Sequence, residues 1–203
     1  MLYFLLKPLC VIAFAIFFRF RGYRADRVPT EGGFILASNH QSFLDPVLLG
    51  LGLRRQIGFV ARSTLFKNPL FSALIRALGA VPIERDKGDM GALRSVKDAL
   101  RSGRILVMFP EGTRTRDGTV GRCKAGAAIS ARAARAPIVF AAIDGAHDAW
   151  PKHGKLPRLF TTVRVVYGEP VTYGRGTDHR TVGGDMRARL EGLLEEVRDL
   201  SRS

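Results

Sequence analysis

The sequence predicts an α/β fold in which helices flank a largely parallel central sheet. Short apolar runs of strand length recur along the chain, and segments with apolar residues at helical spacing separate them. Glycine, proline or asparagine stands at many of the boundaries, as expected for turns. Alternation of strands and helices is typical of parallel sheets. With 203 residues and no long linker, the chain is expected to form one folded domain behind its amino-terminal segment.

The amino-terminal segment, residues 1–27, is predicted to be a membrane anchor. Residues 1–18 are apolar except for Lys7 and Pro8, and arginines follow at positions 19, 21, 24 and 27. As a helix, this segment would extend roughly 27 Å against a hydrocarbon core of ~30 Å, so both a spanning and an interfacial anchor fit, and a buried core helix is the alternative. Pro8 is expected to break or kink the helix. Arginines on the carboxyl side favour the cytoplasmic face of the inner membrane.

The remaining elements follow from the apolar pattern. The predicted strands are Phe34–Ser38, Ile57–Ala61, Ala80–Ile83, Ile105–Phe109, Ile138–Ile143 and Thr161–Tyr167. The predicted helices are Pro46–Leu53, Asn68–Leu78, Asp89–Ser102, Lys124–Arg135 and Asp185–Leu200. Asp45 and Asn68 each precede a proline, which predicts that each caps the helix that follows. Gly145–Pro157 and Gly174–Gly184 are predicted to be mobile loops.

Charge and cysteine usage narrow the possible functions. The net charge is +14, and residues 51–180 carry nearly all of the excess, which favours anionic partners such as nucleic acid, anionic lipid surfaces or phosphorylated substrates. The sequence has no helix-turn-helix, RNP-like or zinc-finger pattern, so nucleic acid is not an expected partner. Cys10 and Cys123 lack metal-ligand spacing and the four histidines are scattered, so neither a disulfide nor a metal site is expected.

The stretch Asn39-His40-Gln41-Ser42-Phe43-Leu44-Asp45 directly follows the first predicted strand. Ligands of open α/β folds bind at the carboxyl ends of strands. A histidine whose ring is oriented by a carboxylate is a common general base near neutral pH. His40 is therefore the candidate base, and Asp45 is predicted to fix its tautomer and to stabilise the imidazolium. A helix beginning near Asp45 would also offer free backbone N–H groups. The alternatives are a solvated loop histidine for His40 and a simple helix cap for Asp45.

Two segments together resemble the glycerolipid acyltransferases of the lysophosphatidate acyltransferase (PlsC-like) type. The family's NH-x4-D motif matches Asn39, His40 and Asp45, and its FPEGTR motif matches residues 109–114 without change. Its G-x-x-x-I-x-R motif matches residues 79–85, and its apolar fourth motif matches residues 136–143 in part, with Phe140 where proline is usual. The resemblance covers residues 34–143 and implies that residues 28–203 form an acyltransferase domain of the glycerolipid acyltransferase fold.

The resemblance implies an acceptor site built from cationic and small residues. Arg114 offers paired donors that suit a phosphate, and Gly112 and Thr113 belong to the same motif. Glu111 is expected either to receive a substrate hydroxyl or to anchor Arg114. Arg85 of the second motif is the expected partner of Arg114. Two further cations are candidates for substrate binding by resemblance, namely Arg62 after the second strand and Lys124 in a basic stretch where Cys123 replaces phenylalanine.

The activity implied is transfer of an acyl chain from acyl-CoA or acyl carrier protein to the sn-2 hydroxyl of lysophosphatidate, giving phosphatidate. The implied partners are the lysophospholipid, the acyl thioester and the bilayer, and no cofactor is required. Ser42 lacks a nucleophile elbow, so direct transfer in a ternary complex is expected. Two alternatives stay open: the same fold acylating glycerol-3-phosphate or a lyso-aminolipid, and a basic protein that binds nucleic acid or anionic membranes without catalysis.

Overall fold

The computed structural model of the chain describes residues 2–83, 90–174 and 178–202. Its helices are α1 (Leu2–Phe18), α2 (Asp45–Leu51), α3 (Pro69–Ala77), α4 (Met90–Arg101), α5 (Gly126–Ala134), α6 (Ala146–Ala149) and α7 (His179–Asp199). Its strands are β1 (Arg21–Tyr23), β2 (Phe34–Ser38), β3 (Ile57–Arg62), β4 (Val81–Ile83), β5 (Ile105–Met108), β6 (Ile138–Asp144) and β7 (Arg164–Val171). Short 3₁₀ turns cover Ala25–Arg27 and Ser63–Phe66. The predicted α/β class is confirmed.

One seven-stranded sheet, in the order β1-β7-β6-β2-β5-β3-β4, forms the centre of the described part of the chain. Strands β6, β2, β5, β3 and β4 run parallel, whereas β7 pairs with β6 in the antiparallel sense and β1 runs parallel to β7. Strand β2 lies in the middle and all five of its residues are buried. Because β2, β5, β3 and β4 are neighbours that run parallel, their carboxyl ends lie at the same edge of the sheet.

Helices cover both faces of the sheet because successive strand side chains point to opposite sides. Ile35 and Ala37 of β2 pack in the core cluster that contains α4, α5 and α7, which defines the first face. Phe34 and Leu36 pack in the cluster that contains α2, α6 and the inner residues of α1, which defines the second face. Helices α1 and α7 therefore lie on opposite faces of the sheet.

Helix α1 combines core packing with exposed apolar side chains. Cys10, Val11, Phe14 and Phe18 contact the second-face core, and the Lys7 ammonium donates to the Leu53 carbonyl beyond α2. The exposed apolar side chains are Phe4, Leu5, Leu9, Ile12, Ile16 and Phe17. The helix continues through Pro8, so of the predicted break or kink the break is not found. Among the helices within residues 2–83, 90–174 and 178–202, none is long and apolar enough to cross a membrane, so no spanning anchor is found there.

Several local predictions change in the structure. Strand β1 was not predicted; its three residues pair with β7, so the predicted anchor segment 1–27 contributes a strand to the sheet. Residue 44 occupies the cap position of α2 and makes no side-chain cap bond, so the prediction that Asp45 caps this helix is wrong. Asn68 does cap α3, because its side chain accepts from the Phe71 N–H at 3.0 Å. Residues 146–149 form α6 inside the predicted loop 145–157, and α7 begins within the predicted loop 174–184.

Candidate active site

His40 and Asp45 lie at the carboxyl end of β2 and contact each other directly. His40 Nδ1 is 2.7 Å from Asp45 Oδ2. The Asp45 side chain is completely buried and the His40 side chain is 20% exposed. Because an ionised carboxylate only accepts, the contact places a proton on Nδ1 and leaves Nε2 as the basic nitrogen. A base of this type can take a proton from a hydroxyl that approaches Nε2.

The Asp45 carboxylate also holds the loop that carries His40. Its Oδ2 accepts from the backbone N–H groups of Gln41, at 2.6 Å, and Ser42, at 2.8 Å. Burial raises the pKa of the Asp45 carboxyl, and the hydrogen bonds from His40, Ser42 and Gln41 oppose that rise. The expected free N–H groups at the start of α2 are largely used, because Val47 and Leu48 both donate to the Leu44 carbonyl.

The loop after β5 closes over His40 from the neighbouring strand. The Phe109 ring stacks on the His40 ring with 3.9 Å between centroids and 12° between planes. Glu111 accepts from the His40 backbone N–H at 2.8 Å through Oε1 and from the Gly121 N–H at 3.0 Å through Oε2. The Thr115 N–H donates to the His40 carbonyl at 2.8 Å. The two sequence motifs thus form one site because β2 and β5 are adjacent.

The Glu111 carboxylate binds two backbone N–H groups, neither of which was predicted as its partner. No ion pair joins it to Arg114 in the part of the chain that is described, so the predicted anchoring of Arg114 is not found. Contact with a substrate hydroxyl stays a prediction. Burial raises the pKa of Glu111, and the two backbone donors oppose the rise. Its partners lie far away along the chain, so the sequence carried no signal for this role.

Arg114 lies against an aromatic wall next to the histidine. Its guanidinium carbon is 3.4 Å from the centroid of the Phe43 ring, and that ring contacts Trp150 with 5.4 Å between centroids. Nη1 of Arg114 is buried and has no hydrogen-bond partner among the residues that are described. Burial lowers the pKa of Arg114, while the nearby Asp45 charge opposes that change. An unpaired buried donor beside a base is suited to an anionic ligand.

Of the other predicted binding residues, the structure describes Gly112, Thr113 and Lys124 in full but only the backbone of Arg62. Gly112 has φ +72°, and a side chain there would meet the Lys124 ammonium at 3.5 Å, so Gly112 and Lys124 are neighbours. Thr113 accepts a hydrogen bond from Lys152 at 3.2 Å. The backbone of Arg62 ends β3 at the same sheet edge, although its side chain is not described. Arg85 lies outside the described residues.

Several residues of the site were not predicted, among them Phe109, whose ring stacks on that of His40. Asn39 joins the His40 loop to β6, because its side chain donates to the Ile143 carbonyl at 2.9 Å and accepts from the Ile143 N–H at 2.8 Å. Phe43 and Trp150 form the wall beside Arg114. Asn39 and Phe43 lie inside the motif that contains His40, which was the available signal. Trp150 is the single tryptophan of the sequence, but its position gave no indication of a role.

Comparison with known proteins identifies the family. The model of the Acyltransferase family matches residues 19–144, which include both halves of the site. The chain belongs to this acyltransferase family. Residues 84–89 are the part of the matched region that the structure does not describe. The matched region contains His40, in the loop after β2, Asp45, at the start of α2, and the segment 109–114 after β5.

Individual relatives agree with the family assignment. A Bacillus subtilis protein named 1-acyl-sn-glycerol-3-phosphate acyltransferase is 28% identical over 196 residues, which cover 94% of each chain. A chloroplastic Brassica napus protein of the same name is 30% identical over 146 residues, which cover 71% of this chain and 42% of that protein. The crystal structure of the Thermotoga maritima 1-acyl-sn-glycerophosphate acyltransferase PlsC superposes with a TM-score of 0.78 and 26% identity, covering 95% of this chain and 78% of that one.

Proposed function

We propose that the chain transfers an acyl group from an acyl thioester, either acyl-CoA or acyl carrier protein, to the sn-2 hydroxyl of lysophosphatidate and so makes phosphatidate for phospholipid synthesis. The relatives named above are 1-acyl-sn-glycerol-3-phosphate acyltransferases, and the family assignment supports this activity. The observation that carries the proposal is the 2.7 Å contact of His40 with Asp45 next to a cationic acceptor segment. No cofactor is needed for this chemistry.

In the proposed reaction, His40 Nε2 accepts the proton of the sn-2 hydroxyl as its oxygen attacks the thioester carbonyl carbon. Asp45 stabilises the imidazolium that forms. When the tetrahedral intermediate collapses, the C–S bond breaks and the departing sulfur takes the proton from His40. The transfer is direct: Ser42 Oγ donates to the Trp150 carbonyl at 2.8 Å and accepts from the Leu44 N–H at 3.2 Å, so this nearby hydroxyl is already committed.

The acceptor phosphate is proposed to bind Arg114, with Lys124, Gly112 and Thr113 beside it. The unpartnered Nη1 of Arg114 supports this placement, because an anionic oxygen would satisfy the buried donor. Arg62 and Arg85 are proposed as further cations of the same site, since β3 and β4 end at this edge of the sheet. An apolar cavity of about 200 Å³ between α1, α2 and β3 begins at Pro46, next to Asp45, and suits part of an acyl chain.

We also propose that α1 is an interfacial membrane anchor at the cytoplasmic face of the inner membrane. Its exposed apolar face supports this, and so do the arginines that follow it. Deleting residues 1–27 would also remove β1 and the buried Phe18. The sharper test replaces the exposed Leu5, Leu9 and Ile16 by serine and measures the fraction that sediments with membranes. Unchanged sedimentation would contradict the proposed role of α1.

The test of the activity is thiol release from acyl-CoA by the purified protein in the presence of lysophosphatidate. His40→Ala should lower kcat by about 10²–10⁴, the usual contribution of a general base. Arg94→Ala, which changes an exposed side chain of α4 outside the site, should not. Release that survives in His40→Ala would refute the assignment of the base. Glycerol-3-phosphate, a lyso-aminolipid and acyl carrier protein are then substituted in turn to define the acceptor and the donor.

A further inference from the structure

Residues 152–160, here called the 152–160 loop, combine cations with exposed apolar side chains. Lys152, Lys155 and Arg158 are the cations, and no Asp or Glu occurs between Asp148 and Glu169. None of the three cations forms an ion pair within residues 2–83, 90–174 and 178–202. Apolar side chains alternate with them: Leu156 is 78% exposed, Leu159 50% and Phe160 58%.

The loop lies against the carboxyl end of α1, on the second face of the sheet. The Phe160 N–H donates to the Phe17 carbonyl at 2.5 Å, and the Val163 N–H donates to the Phe18 carbonyl at 3.0 Å. The rings of Phe17 and Phe160 are 6.4 Å apart between centroids. The exposed apolar surface of α1 thus continues into the loop.

The backbone at Phe160 is strained in a way that favours this exposure. Its φ is +62°, a left-handed conformation that bulky residues rarely adopt. Such outliers persist where surrounding contacts enforce them, and they concentrate at functional positions. The Phe160 N–H is bonded to the Phe17 carbonyl, and the Phe160 ring is exposed beside a helix with an apolar outer face.

The same loop reaches the site at its other end. The Lys152 ammonium donates to Thr113 Oγ1 at 3.2 Å, and the Trp150 indole N–H donates to the Gly154 carbonyl at 2.9 Å, which closes the turn at the start of the loop. Trp150 also contacts Phe43, the residue stacked on Arg114. A surface bound by the loop would therefore lie close to the segment proposed to hold the acceptor phosphate.

We propose that the 152–160 loop is a second membrane-binding element, and that its ligand is a bilayer surface containing anionic lipid. Leu156, Leu159 and Phe160 enter the headgroup boundary while Lys155 and Arg158 contact anionic headgroups. Charge complementarity and continuity with the exposed face of α1 favour a bilayer over an acidic protein, because three exposed apolar side chains separated by cations match an interface that is apolar below and anionic above. This inference rests on the proposed membrane function and extends it to a segment outside the anchor.

Insertion is tested with a second tryptophan placed in the loop. Leu156→Trp is mixed with vesicles whose acyl chains carry bromine, which quenches indole on contact, and the signal of the unmodified protein, whose single tryptophan is Trp150, is subtracted. Strong quenching and a blue shift that require anionic lipid are expected. Glu195→Trp, exposed on α7 across the sheet, is the matched control and should stay unquenched. Equal quenching at both positions, or none at residue 156, would overturn the proposal.

The charge contribution is tested with a pair of double variants. Lys155→Ser with Arg158→Ser should lower partitioning onto phosphatidylglycerol-containing vesicles by about 30-fold, because each of the two cations contributes about 1 kcal/mol near an anionic surface. Partitioning onto phosphatidylcholine vesicles should change little. Lys97→Ser with Arg101→Ser removes the same charge from α4, on the first face, and should have no such effect. An equal loss in both double variants would show that only the net charge of the protein matters, and the proposal would then be wrong.

Two further readouts separate this proposal from its alternatives. The double variant Lys155→Ser with Arg158→Ser is called the loop variant. If it bound vesicles normally but showed a raised KM for acyl carrier protein, the surface would be a docking site for an acidic protein and the proposal would be wrong. Acyl transfer in detergent micelles should be the same for the loop variant and the unmodified protein. Absence of acyl transfer in the unmodified protein would contradict the proposed function, whereas the vesicle data would still decide the role of the loop.

Discussion

Asp45→Asn offers the most discriminating test of how the base works. The Asp45 Oδ2 atom accepts three hydrogen bonds, from His40 Nδ1 and from the backbone N–H groups of Gln41 and Ser42. Two of these donors belong to the backbone and cannot become acceptors. An asparagine must therefore place its amide oxygen where Oδ2 lies and its NH₂ group where Oδ1 lies. His40 keeps a proton on Nδ1 in this arrangement, so the tautomer is preserved and only the negative charge is lost.

The size of the effect follows from that difference. Hydrogen bonds to charged groups contribute about 1.5–3 kcal/mol and neutral ones about 0.5–1.5 kcal/mol, so the imidazolium loses about 1–2 kcal/mol of stabilisation. A change of this size lowers kcat by roughly 5–30-fold. In hydrolase triads, an asparagine that reverses the histidine tautomer lowers kcat by ~10⁴. The predicted loss for Asp45→Asn is therefore far smaller than in such a triad.

The assay is thiol release at saturating acceptor, with thermal unfolding as the check on folding. Two effects on stability oppose each other: the amide removes the buried charge whose cost raises the pKa of Asp45, while its NH₂ occupies the Oδ1 position, which has no partner among the described residues. We expect Tm to stay within a few degrees. A loss of kcat near 10⁴ with an unchanged Tm would refute the reasoning, because the backbone donors would then not control the orientation.

Three further predictions concern the acceptor site, the core and the response to acid. Arg114→Ala should raise the acceptor KM at least tenfold with a smaller effect on the thioester KM, and Arg114→Lys should restore only part of it because lysine lacks the paired donors; equal changes in both KM values would contradict the assignment. Tyr167→Phe should lower stability by about 1 kcal/mol, and Tm by about 2–4 °C, because it removes the buried hydrogen bond from Tyr167 to the Leu49 carbonyl at 2.9 Å; an unchanged denaturant midpoint would show that this bond contributes nothing. Hydrogen bonds from Thr119 and Thr115 lower the pKa of Asp117 from about 3.9 in the unfolded chain to about 2. Because the folded state favours the ionised form, the stabilisation is present above pH ~4 and is lost as the pH falls toward 2. A midpoint near 4 in an NMR titration of this carboxyl group would contradict the prediction.

Buried apolar runs account for the success of the sequence-based strand predictions. Strand β2 was predicted with its observed limits because Phe34–Ser38 is apolar or small throughout and is enclosed on both faces. Strand β1, with the sequence Arg-Gly-Tyr, has no such pattern and exists because β7 offers it an edge. Helix α6 has only four residues, which is too short for a periodic signal. The missed elements are thus a strand fixed by a distant part of the chain and a helix too short to show a period.

The site shows the same division between local and distant information. The spacing of His40 and Asp45 within one loop made their pairing predictable, and the structure places them 2.7 Å apart. The partners of Glu111 and Asn39 were not predictable, because both side chains bind backbone groups of other strands or loops. Chemistry between neighbours in sequence can be inferred from residue types. Interactions with backbone groups leave no trace in the residue type of the partner.

The unpredicted contacts hold His40, the proposed base, in place. Asn39, just before it, is bound to Ile143 of β6 by two hydrogen bonds. The backbone N–H of His40 is held by Glu111, and its carbonyl is held by Thr115. The histidine is thus fixed between β6 and the loop after β5 before any substrate binds, which lowers the cost of reaching the reactive geometry. Because the same loop also carries Arg114, a displacement of that loop would change the position of the base and the position of the acceptor together.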